Sequence, residues 1–214
     1  MARRTKLDAE KTRQSLMDAA EVLFLEQGVT RTSLDQVARR AGVTRGALYW
    51  HFANKVDLLA ALVQRVEISL DLMFEDLASR YQEGDWSESG SLLDNTRAVL
   101  VDFFHQLQAD ERHKRVLSIL INRVELVGEM ADIRDVYEVK AERTVKALTT
   151  LFGGCKARGE IAEACDPETA ASLVHSLLIG VMMEITCTPE RRPLKEAPEL
   201  FAMVFDGLRK NTPA

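Results

Sequence analysis

Twenty residues, Ser33 to Phe52 (SLDQVARRAGVTRGALYWHF), constrain this chain more tightly than any other stretch. Leu34, Val37, Ala38 and Ala41 recur on one face of a helix, and the pattern stops at Gly42. Val43 fills the corner that follows. Thr44 then caps a short helix, Arg45 to Phe52, whose hidden face is Leu48 and Phe52. A turn this tight needs a residue that takes positive φ without a Cβ clash, and Gly42 supplies it. The spacing is that of a helix-turn-helix.

The neighbouring sequence supports the pair. From Asp8 to Gln27, Leu16, Ala20, Leu23 and Phe24 fall at i, i+4, i+7 and i+8 of a preceding helix, closed by Gly28. The next helix begins at Thr32 or Ser33, with Asp35 or Gln36 completing a capping box. Asn54 caps a fourth, with Asp57 in its first turn. Its apolar period continues through Leu58, Leu59, Leu62, Val66, Leu70 and Phe74 toward Tyr81, which predicts one long helix over 54–81. Glu83 to Gly90 reads as a polar loop. Further helices are predicted near 91–107, 110–126, 129–152, 167–186 and 197–210, with Asp166-Pro167 a start signal. No segment alternates with a period of two. The expected fold is all-α with about nine helices: a three-helix head with a basic arm over 1–54, and a larger helical domain over 55–214.

Composition narrows the function classes. Hydrophobic residues make up 46% of the chain and charged residues 29%, ordinary for a soluble globular protein. The N-terminus, Met-Ala-Arg-Arg-Thr-Lys, lacks the apolar core of a signal peptide. No uninterrupted apolar run approaches the roughly 18 residues of a membrane span. A cytoplasmic protein with no membrane partner is expected. Cys155, Cys165 and Cys187 are odd in number and lack CxxC spacing, which leaves buried thiols or a redox sensor rather than a disulfide framework. His105, His113 and His175 show no metal spacing, so neither metal nor cofactor is expected. GxSxG, P-loop, HExxH and dinucleotide fingerprints are absent, so no enzyme is expected. A purely structural or protein-binding helical chain is the competing class.

Charge is unevenly placed. Residues 1–60 hold ten Lys/Arg against seven Asp/Glu, whereas the whole chain carries −5. A basic head on an acidic body directs phosphates to one end. Within the second helix of the pair, Thr44 and Arg45 occupy the first turn, and arginine matches the O6/N7 edge of guanine. Gly46 and Ala47 are small enough to admit a close duplex. Tyr49 lies about 100° and Trp50 about 160° from Leu48, both off the hidden face. His51 and Lys55 continue toward phosphates, the amide-rich helix start at Thr32 and Ser33 offers another phosphate site, and Arg3, Arg4 and Lys6 form a basic arm. Each of these side chains also has a plain alternative as a packing or solvated residue. Together they point to double-stranded DNA.

The stretches RRTK, TRQSLMDAAEVLF, GVTRTSLDQVARRAGVTRGALYWHF and NKVDLLAAL, spanning residues 3–63, resemble the TetR family, and within it the AcrR-like branch of multidrug-efflux repressors. The resemblance implies a DNA head joined by its fourth helix to a ligand-binding core, and an obligate homodimer built chiefly on the last two helices. It places Thr32, Thr44, Arg45, Gly46, Ala47, Tyr49, Trp50, His51 and Lys55 at DNA-contacting positions. The last two-thirds resembles the efflux repressors less specifically, in helix count and in HKRVLSILINRVEL, where they have a pocket-lining helix. Where several relatives carry an acidic residue before a glycine and an arginine after it, this chain has Ile179, Gly180 and Met183, which favours an apolar, drug-like inducer. Resemblance and helical phase together nominate Phe103, Phe104, Leu107, Leu117, Leu120, Ile121, His175 and Met183 for the pocket. Leu173, Leu177 and Val181 with Leu200, Phe201, Val204, Phe205 and Leu208 are nominated for the dimer interface, the alternative being burial in the protomer's own core. The implied function is repression of an efflux operon from a palindromic operator, with release on ligand binding. Activation, or control of a metabolic gene, remains open.

Overall fold

The computed structural model describes residues 6–66, 70–84, 90–124, 131–187 and 196–210. Among these residues it has ten helices and no strand beyond one isolated bridge: α1 (Lys6–Gln27), α2 (Leu34–Arg40), α3 (Arg45–His51), α4 (Lys55–Arg65), α5 (Leu70–Gln82), α6 (Leu92–Ala109), α7 (Glu111–Asn122), α8 (Ala131–Ala157), α9 (Pro167–Cys187) and α10 (Ala197–Leu208). They fall into two compact units. The first comprises residues 1–67 and 111–134, the second 68–110 and 135–214.

In the first unit, α1 turns Leu16, Met17, Ala20, Leu23 and Phe24 inward and packs against α2, α3, α4 and α7. Fully burying a leucine or phenylalanine stabilises by roughly 1.5–3 kcal/mol. The cap signals act as read. Gly28 takes φ +84° and donates its N–H to Phe24 O. Ser33 and Gln36 form a reciprocal capping box. Thr44 Oγ1 accepts from Ala47 N–H, and Asn54 Oδ1 from Asp57 N–H. The Asp57 carboxylate in turn accepts from Ala53 N–H.

Two expectations change. The long helix over 54–81 is described as two helices: α4 ends at Val66, whose N–H bonds back to Val63 O in a tightened last turn, and α5 starts at Leu70. That raises the count among described residues from about nine to ten. The first unit holds α4 and α7 beside α1 to α3. Val29 N–H donates to Arg123 O at 2.9 Å, tying the chain just after α7 to the turn after α1. Finally, α9 is long and apolar enough to cross a membrane by length and composition, with mean hydropathy 1.6. Ser172, His175, Ser176 and Glu184 interrupt its apolar run, so a search for unbroken runs passes over it.

The second unit is centred on α6 and α10. Phe104 stacks on Phe201 with ring centroids 5.5 Å apart, and Phe152 lies 5.9 Å from Phe205. After α8, Glu160 reaches the start of α6 and accepts from Leu92 N–H, Leu93 N–H and Ser91 Oγ. An isolated antiparallel bridge pairs Ile161 with Arg209, and Arg209 bonds Asp94. Cys155 is a core thiol, its pKa pushed up to about 12 by burial first and by Glu160 second, so it is unreactive near neutrality.

Candidate nucleic-acid interface

The recognition helix is set by what it hides. Leu48 and Phe52, 0% and 1% exposed, anchor α3 into the first unit, and Arg13 of α1 lies over the Phe52 ring at 5.3 Å. Gly42, at φ +68°, makes the corner before it, and Val43 N–H closes the turn on Ala38 O. The rest of α3 faces outward: Thr44, Arg45 and Gly46 are exposed, Tyr49 is 45% and Trp50 72% exposed. Ala47 and His51 are half-buried, with the His51 ring edge-on to Trp50 at 4.5 Å.

Beside α3 runs an open groove of about 440 Å³, lined by Arg31, Ser33, Asp35, Arg45, Tyr49 and Lys55 among others. Arg45 is held there from two sides. Its Nε lies 3.2 Å from Asp35 Oδ1, and its guanidinium sits over the Tyr49 ring at 5.3 Å. Nη2 approaches the Tyr49 hydroxyl at 3.5 Å. These contacts, Tyr49 first and Asp35 second, raise the Arg45 pKa. Lys55 donates to Thr30 O at 3.2 Å and Val29 O at 3.4 Å, so the same ammonium that edges the groove also braces the loop after α1.

Other nominated residues fall into several groups. Arg3 and Arg4 lie outside the described residues; Lys6 is exposed at the start of α1. Thr32 lines the groove but turns its hydroxyl inward, 1% exposed, donating to Gly28 O at 2.7 Å and accepting from Gln27 Nε2. Its N–H donates to Val29 O, and that of Ser33 to Gln36 Oε1. Arg31 and Asp35 are groove residues that the sequence reading missed. Arg31 lies in the loop before α2, outside any periodic pattern, and Asp35 meets Arg45 across the helix-turn-helix corner.

The nominated pocket residues are split between the units. Leu117, Leu120 and Ile121, all half-buried, stand on α7 in the first unit. Phe103, Phe104 and Leu107 are core residues of the second unit, where Phe103 and Phe104 meet edge-on at 5.2 Å. His175 is half-buried, and burial lowers its pKa, which favours the neutral imidazole. Met183 is 52% exposed on the outer side of α9. Of the nominated dimer residues, Val181, Phe201 and Phe205 are buried within the protomer, while Leu177, Leu200, Val204 and Leu208 are half-buried and Leu173 is exposed. The apolar side chains that α9 and α10 do expose are Leu173, Ile179, Met183 and Met203.

Comparison with known proteins agrees with this arrangement. Residues 16–62 match the family described as bacterial regulatory proteins, tetR family, and residues 92–209 match the C-terminal region of MAATS-type transcriptional repressors. The HTH-type transcriptional regulator TtgR of Pseudomonas putida is 33% identical over 190 residues, 89% of this chain and 87% of TtgR. NalD, the secondary repressor of the MexAB-OprM multidrug efflux pump in Pseudomonas aeruginosa, superposes with a TM-score of 0.82 at 31% identity, covering 97% of this chain and 100% of NalD. SmeT, the repressor of the Stenotrophomonas maltophilia pump SmeDEF, solved with triclosan, gives a TM-score of 0.77 at 29% identity over 94% of this chain and 93% of SmeT. With both halves matched in sequence and the whole chain matched in fold, this protein belongs to the TetR family of bacterial transcriptional regulators.

Proposed function

We propose that this chain is a repressor of a multidrug-efflux operon, bound as a homodimer to a palindromic operator and released by a hydrophobic small molecule. The observation that carries the DNA-binding part is the outward face of α3, with Arg45, Tyr49 and Trp50 exposed on a helix whose inner residues are sealed in the core. The regulated gene is inferred from NalD and SmeT, which repress multidrug efflux pumps, and the ligand class from triclosan in SmeT. Exposed apolar residues on α9 and α10, Leu173, Ile179, Met183 and Met203, support a homodimer seam. A seam there also accounts for the membrane-like hydropathy of α9 without a bilayer, and a cytoplasmic location follows from this reading.

Two recognition helices on a two-fold axis read half-sites about 34–36 Å apart. A ligand that binds better to a state with a different separation shifts the population away from DNA. The test is a gel shift with the DNA upstream of the chain's own gene, with hydrophobic drugs added. Retardation at physiological salt, reversed by a compound that binds the protein, is expected. Binding of such compounds with no effect on the DNA complex would overturn the ligand-release part. Regulation of a metabolic gene, or activation, would appear as an operator with no pump gene beside it.

A further inference from the structure

The groove beside α3 contains a residue that is out of place in a surface meant only to attract phosphates. Asp35 stands in the first turn of α2, among Arg31, Arg45 and Lys55. A carboxylate there repels the DNA backbone and lowers affinity for DNA of any sequence. Ser33 and Gln36 already form the reciprocal box at the start of α2, so Asp35 is not needed as its cap, although the helix dipole favours a carboxylate in this first turn. What Asp35 does touch is Arg45, with Oδ1 3.2 Å from Nε. Oδ1 is shielded from solvent and has no aligned hydrogen bond, so the contact is an ion pair without a directional bond that DNA would have to break.

We propose that Asp35 is a positioning residue for sequence reading, holding Arg45 by its Nε side while the Tyr49 ring supports the guanidinium face. Nη2 meets the Tyr49 hydroxyl only at 3.5 Å, so the Nη1–Nη2 edge can exchange that long contact for O6 and N7 of guanine, the fork it matches. Arginine is long and rotamer-rich, and without the pair it reaches the nearest phosphate as readily as a base edge. Asp35 therefore lowers general affinity and raises discrimination at the position that Arg45 reads, an arrangement that favours the correct site partly by penalising the others. This rests on the repressor reading above.

The test is selection from random-sequence DNA with the full chain, followed by Kd measurements on the selected site and on unrelated DNA at several salt concentrations. Wild type is expected to select a palindrome with one guanine per half-site whose preference disappears in Arg45→Ala. Asp35→Asn is expected to lose about tenfold of that guanine preference, the scale of one good side chain–base pair. Its affinity for unrelated DNA should rise, with a salt slope steeper by about one phosphate contact. Asp35→Glu, which keeps the charge, should restore most of the preference, and Asp35→Ser should repeat the loss if the asparagine variant fails to fold. A purely structural role for Asp35 would change stability and leave both the base profile and the salt slope at wild-type values, and that result overturns the proposal. Failure of wild type to select any sequence at low salt would instead remove the repressor reading beneath it.

Discussion

Arg65, in the last turn of α4, donates from Nη2 to Oε2 of Glu21 on α1 at 2.5 Å, and Glu21 is 4% exposed. The same carboxylate accepts from Arg115 Nε at 2.5 Å, and Arg112 Nε lies 3.6 Å away, both from α7. Asp18 shares the load, accepting from Arg65 at 2.7 Å and from Arg112 at 3.2 Å. One buried carboxylate therefore joins three helices of the DNA-binding unit.

Glu21→Ala leaves Arg65 nearly buried with only Asp18 for company. Removing one partner of a buried pair costs about 3–5 kcal/mol, but Arg112 and Arg115 are close to half exposed and water can take them up. We expect a loss of about 2–3 kcal/mol in urea unfolding, with Glu21→Gln milder because it still accepts hydrogen bonds. An unchanged midpoint would mean that α7 is held by apolar packing alone.

Leu48→Ala and Arg45→Ala should separate folding from reading. Leu48 is wholly buried, and its truncation should cost about 2–5 kcal/mol of stability, weakening all DNA binding as the head loosens. Arg45 is exposed, so its loss should leave the melting curve unchanged and cost about 1–3 kcal/mol at the read base. Parallel melting and gel-shift measurements check both. Equal stability losses in the two variants would contradict the burial pattern.

The head was legible because its determinants are local. Ser33, Gly42, Thr44 and Asn54 each act within four residues, and the apolar residues of α1 to α3 keep a helical period. What was not legible depends on contacts between distant segments. Nothing in the sequence around Thr32 shows that its side chain turns inward, yet its hydroxyl donates to Gly28 O at the turn after α1. In the same way α7 reads as part of the C-terminal body until Glu21 and Asp18, over ninety residues earlier, are seen to hold it. Phe201 and Phe205 form a stripe as suited to a dimer seam as to a core, and only their partners Phe104 and Phe152 show which.

Gly153 and Gly154 are adjacent in α8 and indistinguishable by sequence, but they should respond oppositely to alanine. A Cβ at Gly154 would meet Tyr81 Cζ at 2.6 Å and Leu92 Cδ2 at 2.7 Å, and at Gly153 it meets nothing within 4 Å. Gly153→Ala should stabilise by about 0.5–1 kcal/mol through helix propensity. Gly154→Ala should destabilise by about 1–3 kcal/mol, because two well-packed side chains must move. Thermal melting of the two variants decides it; matching shifts would mean that α8 does not approach α5 and α6 so closely.

Glu160 sets an acid limit on the second unit. Burial alone would raise its pKa, but hydrogen bonds from Arg158 Nε at 2.6 Å, from the amides of Leu93 and Leu92 and from Ser91 outweigh burial and hold the pKa below the ordinary glutamate value. A carboxylate whose pKa is depressed by folding stabilises the native state fully above its unfolded pKa, about 4.3, and that contribution is lost as pH falls through the lower folded value. Glu75, bonded to Arg143, and Asp166, bonded to Thr169, are lowered as well and act in the same direction, so wild-type acid sensitivity alone does not isolate Glu160. The difference between wild type and Glu160→Gln does. At pH 7 the glutamine variant should melt lower, since it keeps an acceptor for the α6 amides but loses the charge that faces Arg158. The gap between the two melting temperatures should narrow steadily as pH falls below about 4.3, because wild type then approaches the same neutral state. A gap that stays constant from pH 7 to pH 3 would show that Glu160 acts by shape and not by charge.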